Sequence, residues 1–167
     1  RRPSGGDGNT LAKDLIKAVI SEAGYPFTED ADGNIISTTR FNGVLFSSHT
    51  DTVHRDEGEL DIHVDDFGIV TAWHRKLING SPKRLRDVLG ADDAAGIYLM
   101  LSMIQFDIPG TYVFHADEEI GCIGSRALAS EQYSIDGYDL AEDFTHAIAF
   151  DRMGTADLIT HQMGERM

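Results

Sequence analysis

The stretch Thr111-Tyr112-Val113-Phe114-His115-Ala116-Asp117-Glu118-Glu119 runs an apolar segment directly into residues that can hold protons or metals. Residues 111–115 are β-branched or aromatic with little polar alternation, which reads as a strand covered on both faces. Two other segments share the design. Val44-Leu45-Phe46-Ser47-Ser48 runs into His49-Thr50-Asp51, and Ala147-Ile148-Ala149-Phe150 runs into Asp151. A fourth acidic group, Gly90-Ala91-Asp92-Asp93, opens a helical pattern. In open α/β sheets, ligands bind just beyond the carboxyl ends of the strands. Residues far apart in the chain are therefore expected to meet along one sheet edge.

Outward from these segments, strands and helices alternate. Asn9-Thr10 precede Leu11, Leu15, Ala18 and Val19, an apolar stripe at helical spacing, and Gly24 closes it. The Asp32-Gly33 turn leads into short strands over 34–38 and 44–48. Residues 91–106 read as a helix, with Ala95, Ile97, Tyr98, Leu101 and Ile104 supplying core contacts, and Pro109-Gly110 stop it. A short helix is expected over 124–130, a buried strand over 146–150 and another strand over 156–160. Residues 51–90 differ. They are charged, carry an Asn79-Gly80 turn and contain alternating runs at 60–64 and 69–73. They predict a solvent-facing antiparallel hairpin, an excursion over about residues 52–89, mobile near 83–86. The whole of 1–167 reads as a single domain, an α/β sheet with helices on both faces.

With 28 acidic against 14 basic side chains, a formal charge of −14, the chain is a poor partner for nucleic acid or an anionic membrane surface. Part of that acidity suits carboxylates converging on cations. The single cysteine, Cys122, rules out an internal disulfide framework and reads as a small buried hydrophobe. No run of about 18 apolar residues is present to cross a membrane, and no secretory core is visible, so the cytoplasm is the expected location. His115 reads as structural, and His54, His63, His74 and His146 as surface residues. Imidazole and carboxylate without thiolate suit Zn²⁺, with Mn²⁺ or Co²⁺ as substitutes.

Taken in order, His49-Thr50-Asp51, Gly90-Ala91-Asp92-Asp93-Ala94-Ala95-Gly96, Asp117-Glu118-Glu119-Ile120-Gly121 and Phe150-Asp151 resemble the successive signatures of the co-catalytic di-zinc exopeptidases. That superfamily includes peptidase T, leucyl aminopeptidases and related carboxypeptidases and deacylases. The likeness spans roughly residues 4–161, beginning at Pro3-Ser4-Gly5. It implies a zinc exopeptidase-like α/β three-layer sandwich around a central mixed, mostly parallel sheet. It also implies two Zn²⁺ ions and a peptidase acting on small peptides as an aminopeptidase or di/tripeptidase. A carboxypeptidase or N-acyl-amino-acid amidohydrolase using the same site is the alternative, as is a catalytically weak metal-binding domain.

Residue by residue, the resemblance makes His49 and Asp151 ligands of the first metal and Glu119 a ligand of the second. Asp92 would bridge the two, across a cis bond to Asp93. Asp51 would orient the His49 imidazole, and Glu118 would serve as general base toward the attacking water. The family's fifth ligand, a downstream histidine, is not found by Met167. His161 is the only histidine after Asp151, and the chain reads as lacking its C-terminal part, as it also lacks an initiator Met. The expected partners are a small peptide substrate and further copies in a homo-oligomer. The plainer readings compete with these. Asp117-Glu118-Glu119 alone is a solvated charge run, and Asp92-Asp93 alone is an acidic helix start. Neither explains why His49 and Asp151 sit at parallel strand ends.

Overall fold

The computed structural model describes residues 1–130, 134–135, 137–154, 156 and 159. The elements run α1 (Asp7–Glu22), β1 (Thr28–Glu29), β2 (Ile35–Thr38), β3 (Val44–His49), β4 (Asp61–Val64), β5 (Val70–Ile78) and β6 (Ser81–Asp87). They continue with α2 (Ala91–Gln105), β7 (Thr111–His115), α3 (Ile123–Ser130), β8 (Ser134–Ile135), β9 (Tyr138–Asp139) and β10 (His146–Ala149).

The central sheet has the order β1-β2-β7-β3-β10. Strand β7 is its heart, with Tyr112, Val113 and Phe114 fully buried. Side chains alternate across a strand, so the sheet builds two cores. Tyr112 and Phe114 join Ile35 and Phe46 against Ile16 and Ile20 of α1 and Ile97, Met100 and Ile104 of α2. Val113 turns the other way with Ile36 and Leu45, against Leu128 of α3. The result is the three-layer α/β sandwich the sequence predicts. Strand β7 pairs with β3, and β3 with β10, in parallel, whereas β2 runs antiparallel to both β1 and β7. The expected parallel majority thus holds only over β7, β3 and β10. That half places three carboxyl ends at one edge.

Several finer expectations are corrected. On α1 the buried stripe is Ile16 and Ile20, while Leu11 and Leu15 are 71% and 61% exposed. The two stripes lie about 140° apart on the helix, and only the first continues into Tyr25 and Phe27, which pack on the same core. On α2, Gly96 and Met100 are buried and Ala95 and Tyr98 exposed. Asp92 and Asp93 leave helical geometry, so the regular helix takes its phase from residues further on. Strand β10 is exposed along its length, because among the described residues it forms the margin of the sheet.

The excursion is a three-stranded antiparallel sheet, β4-β5-β6, rather than a hairpin. Asn79 and Gly80, at φ 50° and 75°, make its two-residue turn. Residues 83–86 lie in β6, paired with β5, and the Arg84 guanidinium stands 5.0 Å above the Trp73 ring. Backbone pairing is indifferent to side-chain charge, so a basic strand is still a strand. The strand expected over 156–160 falls largely outside the described residues, as does His161. Among the described residues, no helix is long and apolar enough to cross a membrane.

Candidate metal centre

His49 is the last residue of β3 and is 2% exposed, beside β7 in register with His115. Its Nε2 lies 2.9 Å from Asp92 Oδ1, 3.9 Å from Asp151 Oδ1 and 4.0 Å from Glu118 Oε2. Two groups could each hold a metal ion, His49 with Asp92 and Asp151, and His49 with Glu118 and Glu119. Asp151 comes from the segment after β10, and Asp92 from the first turn of α2. The carboxylates of Glu118 and Glu119 follow β7. All six residues singled out in the sequence therefore converge at one edge of the sheet.

Asp51 is fully buried and does more than face His49. Its Oδ1 is 3.4 Å from His49 Nδ1, a long contact, and Nδ1 has no hydrogen bond of ordinary geometry. Its two oxygens also accept the backbone N–H groups of Glu118, at 3.0 Å, and Glu119, at 3.1 Å. Burial works against the charged form. The His49 contact and the two N–H bonds outweigh it and hold Asp51 below the usual carboxylate range. One carboxylate thus registers the loop after β7 against the end of β3.

Asp93 is a residue the sequence reading left without a role. It is 2% exposed and follows a cis peptide bond from Asp92. Its Oδ2 accepts the backbone N–H of His49, and its Oδ1 accepts that of Gly96 at 2.8 Å. Burial pushes it up to about 7. A Cβ at Gly96 would sit 2.4 Å from Asp93 Oδ1 and 2.6 Å from the Phe150 carbonyl oxygen. Gly96→Ala should therefore lower stability by about 2 kcal/mol despite the better helix propensity of alanine. A urea unfolding midpoint at or above wild type would contradict this close packing.

Cys122 is half-buried rather than buried, and its thiol donates to Glu118 Oε1 at 3.4 Å. His115 contacts Asn34 Oδ1 at 3.3 Å, lies in neither metal grouping, and is pushed down to about 4 by burial. His63 and His146 are exposed. His54 and His74 are partly buried instead. His54 bridges Thr52 and the Val88 carbonyl, and His74 lies 2.9 Å from Asp87.

The electrostatics describe a site short of positive charge. Burial pulls the His49 imidazole down, but contacts with Asp51 and Asp92 and the charges of Asp151 and Asp93 push it up to about 9. Burial and the Asp92 charge push Asp151 up to about 6 and raise Glu119 as well. In effect the carboxylates hold a proton on the imidazole in place of a cation. The donor set therefore fits a divalent ion with nitrogen and oxygen ligands. A cavity of about 520 Å³, walled by Asp92, Asp151 and Arg152 with Phe150 and Met153, opens beside the cluster. A smaller, more polar cavity at the foot of β4–β6 holds none of these residues.

The fold is an α/β sandwich with an edge of carboxylates, and solved structures share that fold. The TET1 peptidase of Pyrococcus horikoshii, which can assemble into a tetrahedron or a large octahedral shell, matches with a TM-score of 0.54 at 18% identity. The match covers 90% of this chain and 65% of that one. A dodecameric form, PhTET1-12s, matches with a TM-score of 0.51 at 18% identity, over 88% and 63%. The glutaminyl cyclase of Macrostomum lignano matches at 0.55 with 13% identity, over 90% and 48%. The chain shares its fold with these solved structures. It spans just under two thirds of the length of the TET1 chains and about half of the cyclase. No family model matches the sequence, and no curated protein does.

Proposed function

We propose that the chain is a zinc-dependent metallopeptidase hydrolysing small peptides, as an aminopeptidase or di/tripeptidase. The observation that carries this reading is the buried His49 Nε2 set within 4.0 Å of carboxylate oxygens from Asp92, Glu118 and Asp151. His49, Asp92 and Asp151 would hold one Zn²⁺. Glu119, with Asp92 as the shared carboxylate, would hold part of a second. Bound zinc would supply the charge that acidifies a water and polarises the substrate carbonyl.

The remaining work falls to the chain's own groups. Asp51 fixes the imidazole and the backbone of Glu118 and Glu119. Glu118 keeps Oε1 on the Cys122 thiol and turns Oε2 toward His49. From there it takes a proton from the attacking water and returns it to the leaving amine. The cavity lined by Asp92, Asp151 and Met153 would receive the substrate flank. Elemental analysis, combined with hydrolysis of free-amine and of N-acylated, free-carboxylate dipeptides with and without chelator, tests the reading. Turnover confined to the N-acylated substrates would move the assignment to a carboxypeptidase or amidohydrolase. Metal without turnover would leave a metal-binding domain.

Zinc must displace the His49 proton, which is held to about pH 9. Apparent zinc affinity should therefore rise about tenfold per pH unit between 7 and 9. Competition with a chromophoric chelator measures it, and a flat profile would contradict the assignment of His49. In the metal-free protein the sign for folding reverses. The raised imidazole contributes stability in full below about 6.5, its unfolded value, and that contribution fades as pH rises through about 9.

A further inference from the structure

Residues Arg1 to Ser4 lie against three of the segments that carry residues of the candidate centre, those of Asp51, Asp92 and Glu118. The Arg1 guanidinium bonds Asp87, at the end of β6, at 2.6 Å. The Arg2 guanidinium donates to the Gly90 carbonyl at 2.9 Å, two residues before Asp92, and the Arg2 carbonyl accepts the N–H of Thr52 at 2.9 Å, next to Asp51. The Ser4 hydroxyl donates to Asp117, next to Glu118. The segment then folds back through a Gly6 N–H to Pro3 carbonyl bond into α1. There Gly8 passes so near Arg1 that a Cβ would stand 1.9 Å from its carbonyl oxygen.

We infer that residues 1–4 form a strap that registers the three loops against one another and so shapes the candidate metal centre. Arg2 and Ser4 are its positioning residues. They act through Gly90, Thr52 and Asp117. The inference rests on the metallopeptidase reading only for the identity of the ion.

Charge and position predict opposite results for Arg2, which makes the inference testable. Arg2 is a cation close to Asp93, Asp51 and Asp92. Removing it should strengthen cation binding if charge alone mattered. If position matters, Arg2→Met should weaken it.

The experiment uses the full chain as wild type, Arg2→Met, Arg2→Lys, Ser4→Ala and Gly8→Ala. Gly8→Ala improves helix propensity and alters no residue of the centre, yet its Cβ must lift the strap. In metal-free protein, hydrogen exchange at the Glu118 and Glu119 amides should accelerate about tenfold in Arg2→Met, Ser4→Ala and Gly8→Ala. Strands β2 and β7 should keep wild-type protection, and Arg2→Lys should restore part of the effect. Zn²⁺ affinity by chelator competition should fall about tenfold in the same three variants.

Unchanged exchange at Glu118 and Glu119 overturns the inference, as does acceleration spread evenly over the chain. Tighter zinc binding by Arg2→Met also overturns it. A wild-type chain that takes no zinc refutes the proposed function instead, and the exchange comparison still decides the strap.

Discussion

Glu118→Gln should lower dipeptide turnover about a thousandfold while the protein keeps its zinc, within the range that a positioned general base contributes. The glutamine is close in shape and can still accept from the Cys122 thiol, which lies 3.4 Å from Oε1. It cannot take a proton at the second position, where Oε2 faces His49 at 4.0 Å. The expected signature is a fall in kcat with little change in KM, because the substitution removes an interaction needed only in the transition state. Residual activity within tenfold of wild type would assign the proton transfer to another group.

The second large effect is structural. Asp51→Ala should cost the metal-free protein about 4 kcal/mol, read from urea unfolding at pH 7. Asp51 is fully buried, and its loss leaves the N–H groups of Glu118 and Glu119 without acceptors and His49 without its anion. Each such loss costs about 1–3 kcal/mol, and breaking a buried charged pair is at the expensive end. Asp51→Asn keeps one acceptor but turns an NH₂ toward a donor, so it should fall between alanine and wild type. A cost below 1 kcal/mol for the alanine variant would mean that water replaces the carboxylate without penalty. Zinc affinity should fall in the same order.

The convergence of His49, Asp92, Glu118, Glu119 and Asp151 was legible because apolar strands stop abruptly at ligand-type residues, and parallel strands bring such stops together. The three layers were legible for the same reason, since the 111–115 segment is apolar on both faces. Helix phase was less so. Residues 11/15 and 16/20 offer two apolar stripes on different faces of α1, and only the sheet decides between them. The break at Asp92 and Asp93 shifts the phase of α2 by local backbone geometry that no periodicity reports. Strand β10 reads as buried because an apolar run does not reveal whether it has one neighbour, as it does among the described residues, or two. The bonds of Asp51 to Glu118 and Glu119, and of Arg2 to Gly90 and Thr52, end on backbone atoms. Backbone partners carry no side-chain signature.

Among the described residues, the position of β10 at the sheet margin divides the candidate centre into a stiff half and a soft half. His49, Asp51 and Asp93 are held in the packed interior, each within 2% of full burial. The side chains of Asp92 and Asp151 stand 66% and 40% exposed. Asp151 hangs two residues beyond a strand that has β3 alone beside it among the described residues. Marginal strands open more readily than central ones. Warming or mild denaturant should therefore release the Asp151 arm first, and a cation bound there would brace the strand that carries it.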